Sequence, residues 1–150
     1  MTYSFDTSVF IEMKSKYPRE KNKKLWEIIS DRLKAHKILV SKEVKIEIHQ
    51  ITDSLDSWLG QFPRSIIDST TDIQREVRRI ENRYPEMIDP QSTHHSADLY
   101  VIALAKVFNA IVVSQEKIKG ARRAIPFICQ KEQIECKDLV TFLVEEGFNT

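Results

Sequence analysis

The chain has 150 residues and a formal net charge of +1, and 41% of its residues are hydrophobic and 30% are charged. This composition is typical of a folded, soluble globular protein and excludes an extended disordered chain. No apolar run approaches the ~20 residues that a membrane-spanning helix requires, and the near-neutral charge excludes a strong overall attraction to nucleic acid. We therefore expect a single domain over residues 1–150 with no membrane contact.

The N-terminal residues and the cysteines indicate a cytoplasmic protein. An acidic residue, Asp6, occurs before any basic or apolar segment that a signal peptide would need. The spacing of Cys129 and Cys136 matches no zinc motif, and a chain of this length needs no disulfide for stability. We interpret both cysteines as free thiols, with Cys129 in the core. A disulfide between them is the alternative.

Short apolar runs alternate with helical patterns along the chain. In chain order the pattern predicts a strand at 3–5, a helix over 25–33, a strand at 38–40, helices over 44–51, 73–84 and 101–108, strands at 110–113 and 125–129, and a last helix over 139–146 that is capped by Gly147. This alternation favours an α/β fold with a parallel, doubly wound sheet. Only three glycines occur, which argues against the glycine-rich loops of P-loop enzymes and dinucleotide-binding folds.

Four acidic residues follow predicted strands or lie at the starts of predicted helices: Asp6, Glu47, Asp98 and Glu116. Because ligand sites of open parallel sheets form beyond the carboxyl ends of the strands, acids that are far apart in sequence can meet there. Carboxylates that share a pocket repel one another unless a cation holds them, and Mg²⁺ and Mn²⁺ prefer oxygen ligands. The four acids therefore predict a divalent metal site.

Each acid also has a simpler interpretation when it is taken alone. Asp6 and Asp98 suit helix N-termini, where acids cap the helix or complement its dipole, and Glu116 suits a loop. Glu47 lies within the apolar stripe of its helix, where a charge must be paired or coordinated. Glu43 lies one turn earlier and is the alternate helical ligand, although the helix dipole also accounts for it.

At these acids the chain resembles the PIN-domain family of metal-dependent ribonucleases. The matching segments are residues 5–11, 40–48, 97–105 and 111–116. Within that family the chain is most similar to a branch related to the VapC-type toxins of toxin–antitoxin modules. The resemblance implies a three-layer α/β/α sandwich around a central, mostly parallel sheet, with the acids at the carboxyl edge of the sheet.

The resemblance also implies roles for particular residues. Its metal ligands and catalytic acids map onto Asp6, Glu47, Asp98 and Glu116 and would hold Mg²⁺ or Mn²⁺, with Glu43 competing for the place of Glu47. The last acid of the family is usually aspartate, and Glu116 reaches one methylene further. The small hydroxyl residue of the family maps onto Ser114.

Basic residues follow Glu116 directly, and phosphates dominate the affinity of proteins for nucleic acid. We expect the substrate to be held by Ser8 and Ser114 and by the cationic side chains of Lys117, Arg122 and Arg123. A solvated loop is the alternative interpretation of these cations.

The implied function is metal-dependent endoribonuclease activity, as the toxin of a type II toxin–antitoxin module. The implied partners are an RNA substrate, a cognate antitoxin protein and a second copy of the chain in a homodimer. Three rival functions remain: a catalytically inactive PIN-like module that binds RNA or protein, a Mg²⁺-binding receiver-like signalling domain, and a nuclease that is directed at DNA. A receiver would need adjacent acids after its first strand, whereas Asp6 stands alone there.

Overall fold

A computed structural model of the chain describes residues 1–87, 97–119 and 124–148. The segment with Arg122 and Arg123 lies outside these residues. Five parallel strands form one sheet in the order β3-β2-β1-β4-β5. They are β1 (Tyr3–Phe5), β2 (Ile38–Ser41), β3 (Ile66–Ile67), β4 (Ile111–Val113) and β5 (Cys136–Lys137). The strand order reverses direction between β1 and β4, so a crevice is expected beyond the carboxyl ends of these two strands.

Eight α-helices lie in the described part of the chain. They are α1 (Thr7–Lys16), α2 (Lys23–Lys34), α3 (Lys42–Ile51), α4 (Asp53–Leu59), α5 (Thr71–Arg83), α6 (Ala97–Phe108), α7 (Ala124–Glu132) and α8 (Leu139–Glu145). Short 3₁₀ turns occur at Pro63–Ser65 and Pro85–Met87. No helix among these residues has the length and apolar character needed to cross a membrane.

Helices cover both faces of the sheet, which gives the expected three-layer α/β/α sandwich. On one face, Phe5 of β1 contacts the rings of Phe10 and Phe142, in α1 and α8. On the other face, the Ser4 hydroxyl donates a hydrogen bond of 2.9 Å to the backbone carbonyl of Val101, in the buried helix α6. Alternate residues of β1 therefore serve opposite layers, as the pleat of a strand requires.

One strand prediction is wrong. Residues 125–129 belong to α7, in which Ile125, Ile128 and Cys129 are buried at the spacing of one helix face. A short apolar run does not by itself distinguish a buried strand from a buried helix. Both thiols are free, and Cys129 is buried as expected.

The last helix ends as the sequence predicts. Gly147 adopts a φ of 87°, a conformation that glycine takes without steric cost. The backbone N–H of Gly147 donates to the carbonyl of Val144, and that of Phe148 donates to the carbonyl of Leu143. This pair of bonds is the Schellman motif, which satisfies the carbonyls at a helix C-terminus.

Candidate metal centre

The crevice between the ends of β1 and β4 brings three predicted acids together. Asp6 follows β1 directly and is the N-cap residue of α1, and its backbone N–H donates to the carbonyl of Val113 at 3.0 Å. Glu116 lies three residues beyond the end of β4, and Asp98 lies in the first turn of α6. Carboxylate oxygens of Asp6, Asp98 and Glu116 all lie within 4.8 Å of one another.

Hydroxyl groups fix the orientation of the Asp6 carboxylate. Its Oδ2 atom accepts hydrogen bonds from Ser8 Oγ at 2.6 Å and from Ser114 Oγ at 3.1 Å. Each serine in turn accepts from a backbone N–H of the loop after β4: Ser8 from Gln115 at 2.9 Å, and Ser114 from Glu116 at 3.1 Å. The serines thus connect the first strand to the loop that carries Glu116.

Gln115 anchors the same loop to two further helices. Its Nε2 atom donates to Glu12 Oε2 of α1 at 3.0 Å, and its Oε1 atom accepts from the backbone N–H of Leu139 in α8 at 2.7 Å. The sequence analysis missed this role because both partners lie more than 20 residues away along the chain. The position of Gln115 between two predicted site residues, Ser114 and Glu116, was the feature of the sequence that could have indicated this role.

Burial raises the pKa of two of these acids, Asp6 and Glu116, and repulsion by neighbouring acids adds to the effect at Glu116. Burial raises the pKa of Asp6 above its ordinary value, and the hydrogen bonds from Ser8 and Ser114 oppose that change. The pKa of Glu116 rises to about 9, chiefly because of burial and then because of the negative charges of Asp98 and Asp6. A nearby cation favours the ionised form of a carboxylate and reverses both effects.

A buried acid outside the cluster, Glu132, shows the contrast. Glu132 of α7 accepts hydrogen bonds from Arg79 and from the Tyr84 hydroxyl, each at 2.5 Å, and Lys106 lies 3.6 Å away. The Arg79 guanidinium, above all, lowers the pKa of Glu132 to about 2. Within the described residues, neither Asp6 nor Glu116 has an ion pair with a basic side chain. Basic side chains of the chain neutralise Glu132, whereas none in the described part of the chain does so for Asp6 or Glu116.

The predicted helical acids lie outside the group of three. Glu47 and Glu43 are half-buried on α3, one turn apart, and the structure does not place either within the cluster of mutually close oxygens. Burial chiefly raises the pKa of Tyr100 in α6, and the negative charge of Glu43 adds to that effect. Three of the four predicted acids therefore converge, and the choice of a helical ligand stays a prediction. Lys117 is exposed in the loop beside Glu116.

A parallel sheet with this strand order, covered by helices on both faces, is a PIN-like fold of the VapC type. The sequence matches the family described as "Domain of unknown function (DUF4411)" over residues 3–150, and the chain belongs to that family. No curated protein sequence matches the chain.

Two solved structures share the fold. One is VapBC2 from Rickettsia felis bound to a DNA fragment from their promoter, with a TM-score of 0.56, 16% sequence identity, and coverage of 92% of this chain and 98% of that chain. The other is FitAcB from Neisseria gonorrhoeae, with a TM-score of 0.54, 16% identity, and coverage of 91% and 96%. These likenesses confirm the fold that the resemblance implied.

Proposed function

We propose that this chain is a metal-dependent endoribonuclease that hydrolyses RNA phosphodiester bonds and acts as the toxin of a type II toxin–antitoxin module. The proposal rests above all on one observation: Asp6, Asp98 and Glu116 bring carboxylate oxygens within 4.8 Å of one another at the switch point of the sheet. Three carboxylates in one crevice repel one another, and a bound cation would turn that repulsion into attraction.

The donor set fits Mg²⁺ or Mn²⁺. All three side chains offer oxygen, which hard divalent cations prefer, and no thiol or imidazole of the described residues belongs to the group. Asp6, Asp98 and Glu116 would hold the ion, with Glu47 as the fourth ligand from α3 and Glu43 as its alternate. When bound, such an ion supplies Lewis-acid activation for phosphodiester hydrolysis.

The residues of the chain have separate tasks in this reaction. Hydrolysis forms a bond between water oxygen and phosphorus and breaks the bond to the leaving ribose oxygen, which gains a proton. Ser8 and Ser114 hold the Asp6 carboxylate in one orientation, so that it does not need to rearrange when substrate binds. We assign phosphate binding to Lys117, which is exposed beside Glu116, and to Arg122 and Arg123.

The proposed partners follow from the same family resemblance. They are a cognate antitoxin protein, which would cover the acidic crevice, and a second copy of the chain. The likeness of the fold to VapBC2 and FitAcB supports the antitoxin. The free thiols of Cys129 and Cys136 agree with the proposed cytoplasmic location, since reducing conditions keep thiols unpaired.

Replacing one acid of the cluster tests the proposal. In Asp98→Asn the amide keeps the shape of the carboxylate but loses its charge, so cleavage of RNA in Mn²⁺ should fall by about 100-fold or more. Asp72→Asn is the matched control, because Asp72 is also a first-turn acid of a helix but lies in α5, outside the cluster. Cleavage is measured on a labelled RNA with Mn²⁺ and with EDTA.

The result separates the competing functions. Equal cleavage by the parent, by Asp98→Asn and in EDTA contradicts the metal-dependent mechanism. Binding of Mn²⁺ by the parent without any cleavage of RNA supports the inactive binding module instead. Cleavage of single-stranded DNA in preference to RNA of the same sequence reassigns the substrate.

A further inference from the structure

A cavity of about 390 Å³ opens directly beside the metal centre. Ser114, Gln115 and Glu116, which follow β4, line it on one side, and α7, β5 and the residues around them line the rest. Its volume falls within the range of ~300–1,000 Å³ that is usual for small-molecule sites. Glu116 therefore belongs both to the acid cluster and to the wall of this cavity.

Three of the ten described lining residues are apolar or weakly polar, and the other seven are polar or charged. Pro126, Ile134 and Cys136 supply half-buried, largely apolar surface. The side chains of Gln130 and Lys117 are exposed, and within the described part of the chain neither makes a hydrogen bond or an ion pair. The Gln130 amide, which can both donate and accept hydrogen bonds, is therefore available at a cavity that also presents the apolar surface of Pro126, Ile134 and Cys136.

The other polar lining residues are already occupied. Lys137 forms ion pairs with Glu145 and Glu135, and Asp138 caps α8 by accepting from the backbone N–H of Thr141 at 2.8 Å. Gln115 bridges α1 and α8. These bonds stiffen the walls and leave Gln130 and Lys117 as the groups that a ligand would meet.

We propose that this cavity binds the nucleobase of the nucleotide next to the scissile phosphate and so selects the cleavage site. The inference rests on the proposed function, since the acid cluster must hold the phosphate. A nucleobase is a flat ring with apolar faces and polar edges, which matches the apolar surface of Pro126, Ile134 and Cys136 beside the free amide of Gln130. Proteins read single-stranded RNA in this way, by packing against the faces of bases and hydrogen-bonding to their edges.

The charges of the cavity favour a base over a second phosphate. Two carboxylates, Glu116 and Asp138, line it, and Lys137 is already paired with acids. Among the described lining residues, a further phosphate would therefore meet two acids with Lys117 as the only unpaired cation. A neutral heterocycle meets no such penalty.

The first experiment maps cleavage sites in a random-sequence RNA pool with Mn²⁺ by sequencing the new ends. The parent should prefer certain bases at one position beside the cut, and Gln130→Ala should reduce that preference by about 5-fold or more at that position alone. Gln50→Ala is the matched control, because Gln50 is an exposed helical glutamine outside the cavity. Unchanged preference in Gln130→Ala, or a parent without any preference, overturns the inference.

A second experiment decides the matter if the parent does not cleave RNA, in which case the proposed function fails first. Cys136 lines the cavity whereas Cys129 is buried, so a thiol-alkylating reagent should modify Cys136 selectively. The probes are the four ribonucleoside 5′-monophosphates, with EDTA present. Slower alkylation of Cys136 with at least one nucleotide, and weaker protection in Gln130→Ala, supports a nucleotide pocket without nuclease activity. Equal alkylation rates with and without every nucleotide overturn the inference.

Discussion

The Ser114 hydroxyl couples two of the acids at the metal centre. It donates to Asp6 Oδ2 and accepts from the backbone N–H of Glu116, each at 3.1 Å, so the two acids share one polar support. Ser8 connects Asp6 to Gln115 in the same manner. Both serines were predicted to bind substrate. Contact with substrate stays a prediction, while their role in holding the acids is a feature of the fold.

At the scale of single residues, Glu47 is the predicted metal ligand from α3 and Glu43 is its alternate. We expect Glu47→Gln to weaken Mn²⁺ binding by about 10–100-fold. A loss of affinity of this size is usual even when the replaced residue only supports a metal ligand through a hydrogen bond. Glu43→Gln should leave the affinity close to that of the parent, because Glu43 lies in the first turn of α3, where the helix dipole accounts for an acid. Isothermal titration calorimetry of the two variants measures both affinities.

The paired design serves as its own control, because both glutamates are half-buried and lie on the same helix. A loss confined to Glu43→Gln would assign the helical role to Glu43. Unchanged affinity in both variants would restrict the metal site to Asp6, Asp98 and Glu116.

At the scale of elements, Glu132 holds three helices together. Its carboxylate, on α7, is bound by Arg79 of α5 and by Tyr84 just beyond it, and Lys106 of α6 lies 3.6 Å away. Several cations share this one buried acceptor, and hydrogen bonds to charged groups are among the stronger ones in proteins. The layer that covers Ser4 of the sheet therefore depends on a carboxylate at the end of α7.

Removing this charge should destabilise the protein in a pH-dependent way. We expect Glu132→Gln to lower the free energy of unfolding at pH 7 by about 2 kcal/mol. The pKa of Glu132 is lowered from an ordinary 4.5 to about 2, so its stabilising effect is complete above about pH 4.5 and is lost as the pH falls toward 2. Urea unfolding at pH 7, 5 and 3 should show the difference between parent and variant shrinking at pH 3.

Glu135→Gln is the control for this effect. Glu135 is an exposed acid whose pairing with Lys137 is long, at 3.6 Å, and exposed pairs contribute less than about 1 kcal/mol. Its unfolding free energy should stay near that of the parent at all three pH values. A difference for Glu132→Gln that persists undiminished at pH 3 would show that packing, rather than charge, accounts for the loss.

The elements also show which parts of the fold the sequence can predict. Long amphipathic patterns were sufficient for α5, where Ile73, Val77 and Ile80 are buried as expected. The edge strands β3 and β5 have two residues each, too few for any period to emerge. Their pairing is decided by neighbours that lie far away in sequence. The prediction of a strand at 125–129 was wrong for a related reason, because the apolar residues of this segment suit either a strand or a buried helix.

At the scale of the whole molecule, the sheet topology explains why the acid cluster was largely predictable. Asp6 and Glu116 follow strands that the apolar runs located correctly, and Asp98 begins a helix that returns to the same edge. Because the strands are parallel, their carboxyl ends share one edge of the sheet, and the three carboxylates meet there at the point where the strand order reverses. The contacts of Gln115 and the cavity near Gln130 depend on where α7 and β5 pack, and this part of the sequence was misinterpreted.

A site assembled from three distant segments exists only in the folded chain, and this has a measurable consequence. A ligand that binds the folded state alone stabilises it by about 2.7 kcal/mol at 100 times its dissociation constant. Mn²⁺ should therefore raise the melting temperature of the parent in a concentration-dependent way, measured by differential scanning calorimetry. Asp6→Asn should lose that response because it removes the central carboxylate of the cluster.

The starting stability of Asp6→Asn must be considered separately from its response to metal. Burial of Asp6 between two serine donors means that the variant can differ from the parent even without Mn²⁺, so the quantity compared is the shift that Mn²⁺ produces in each protein. Asp72→Asn, whose acid is exposed on α5, should keep the full shift. Equal shifts in the parent and in Asp6→Asn would mean that Mn²⁺ binds elsewhere, and the convergence of the three acids would then have no role in holding a metal.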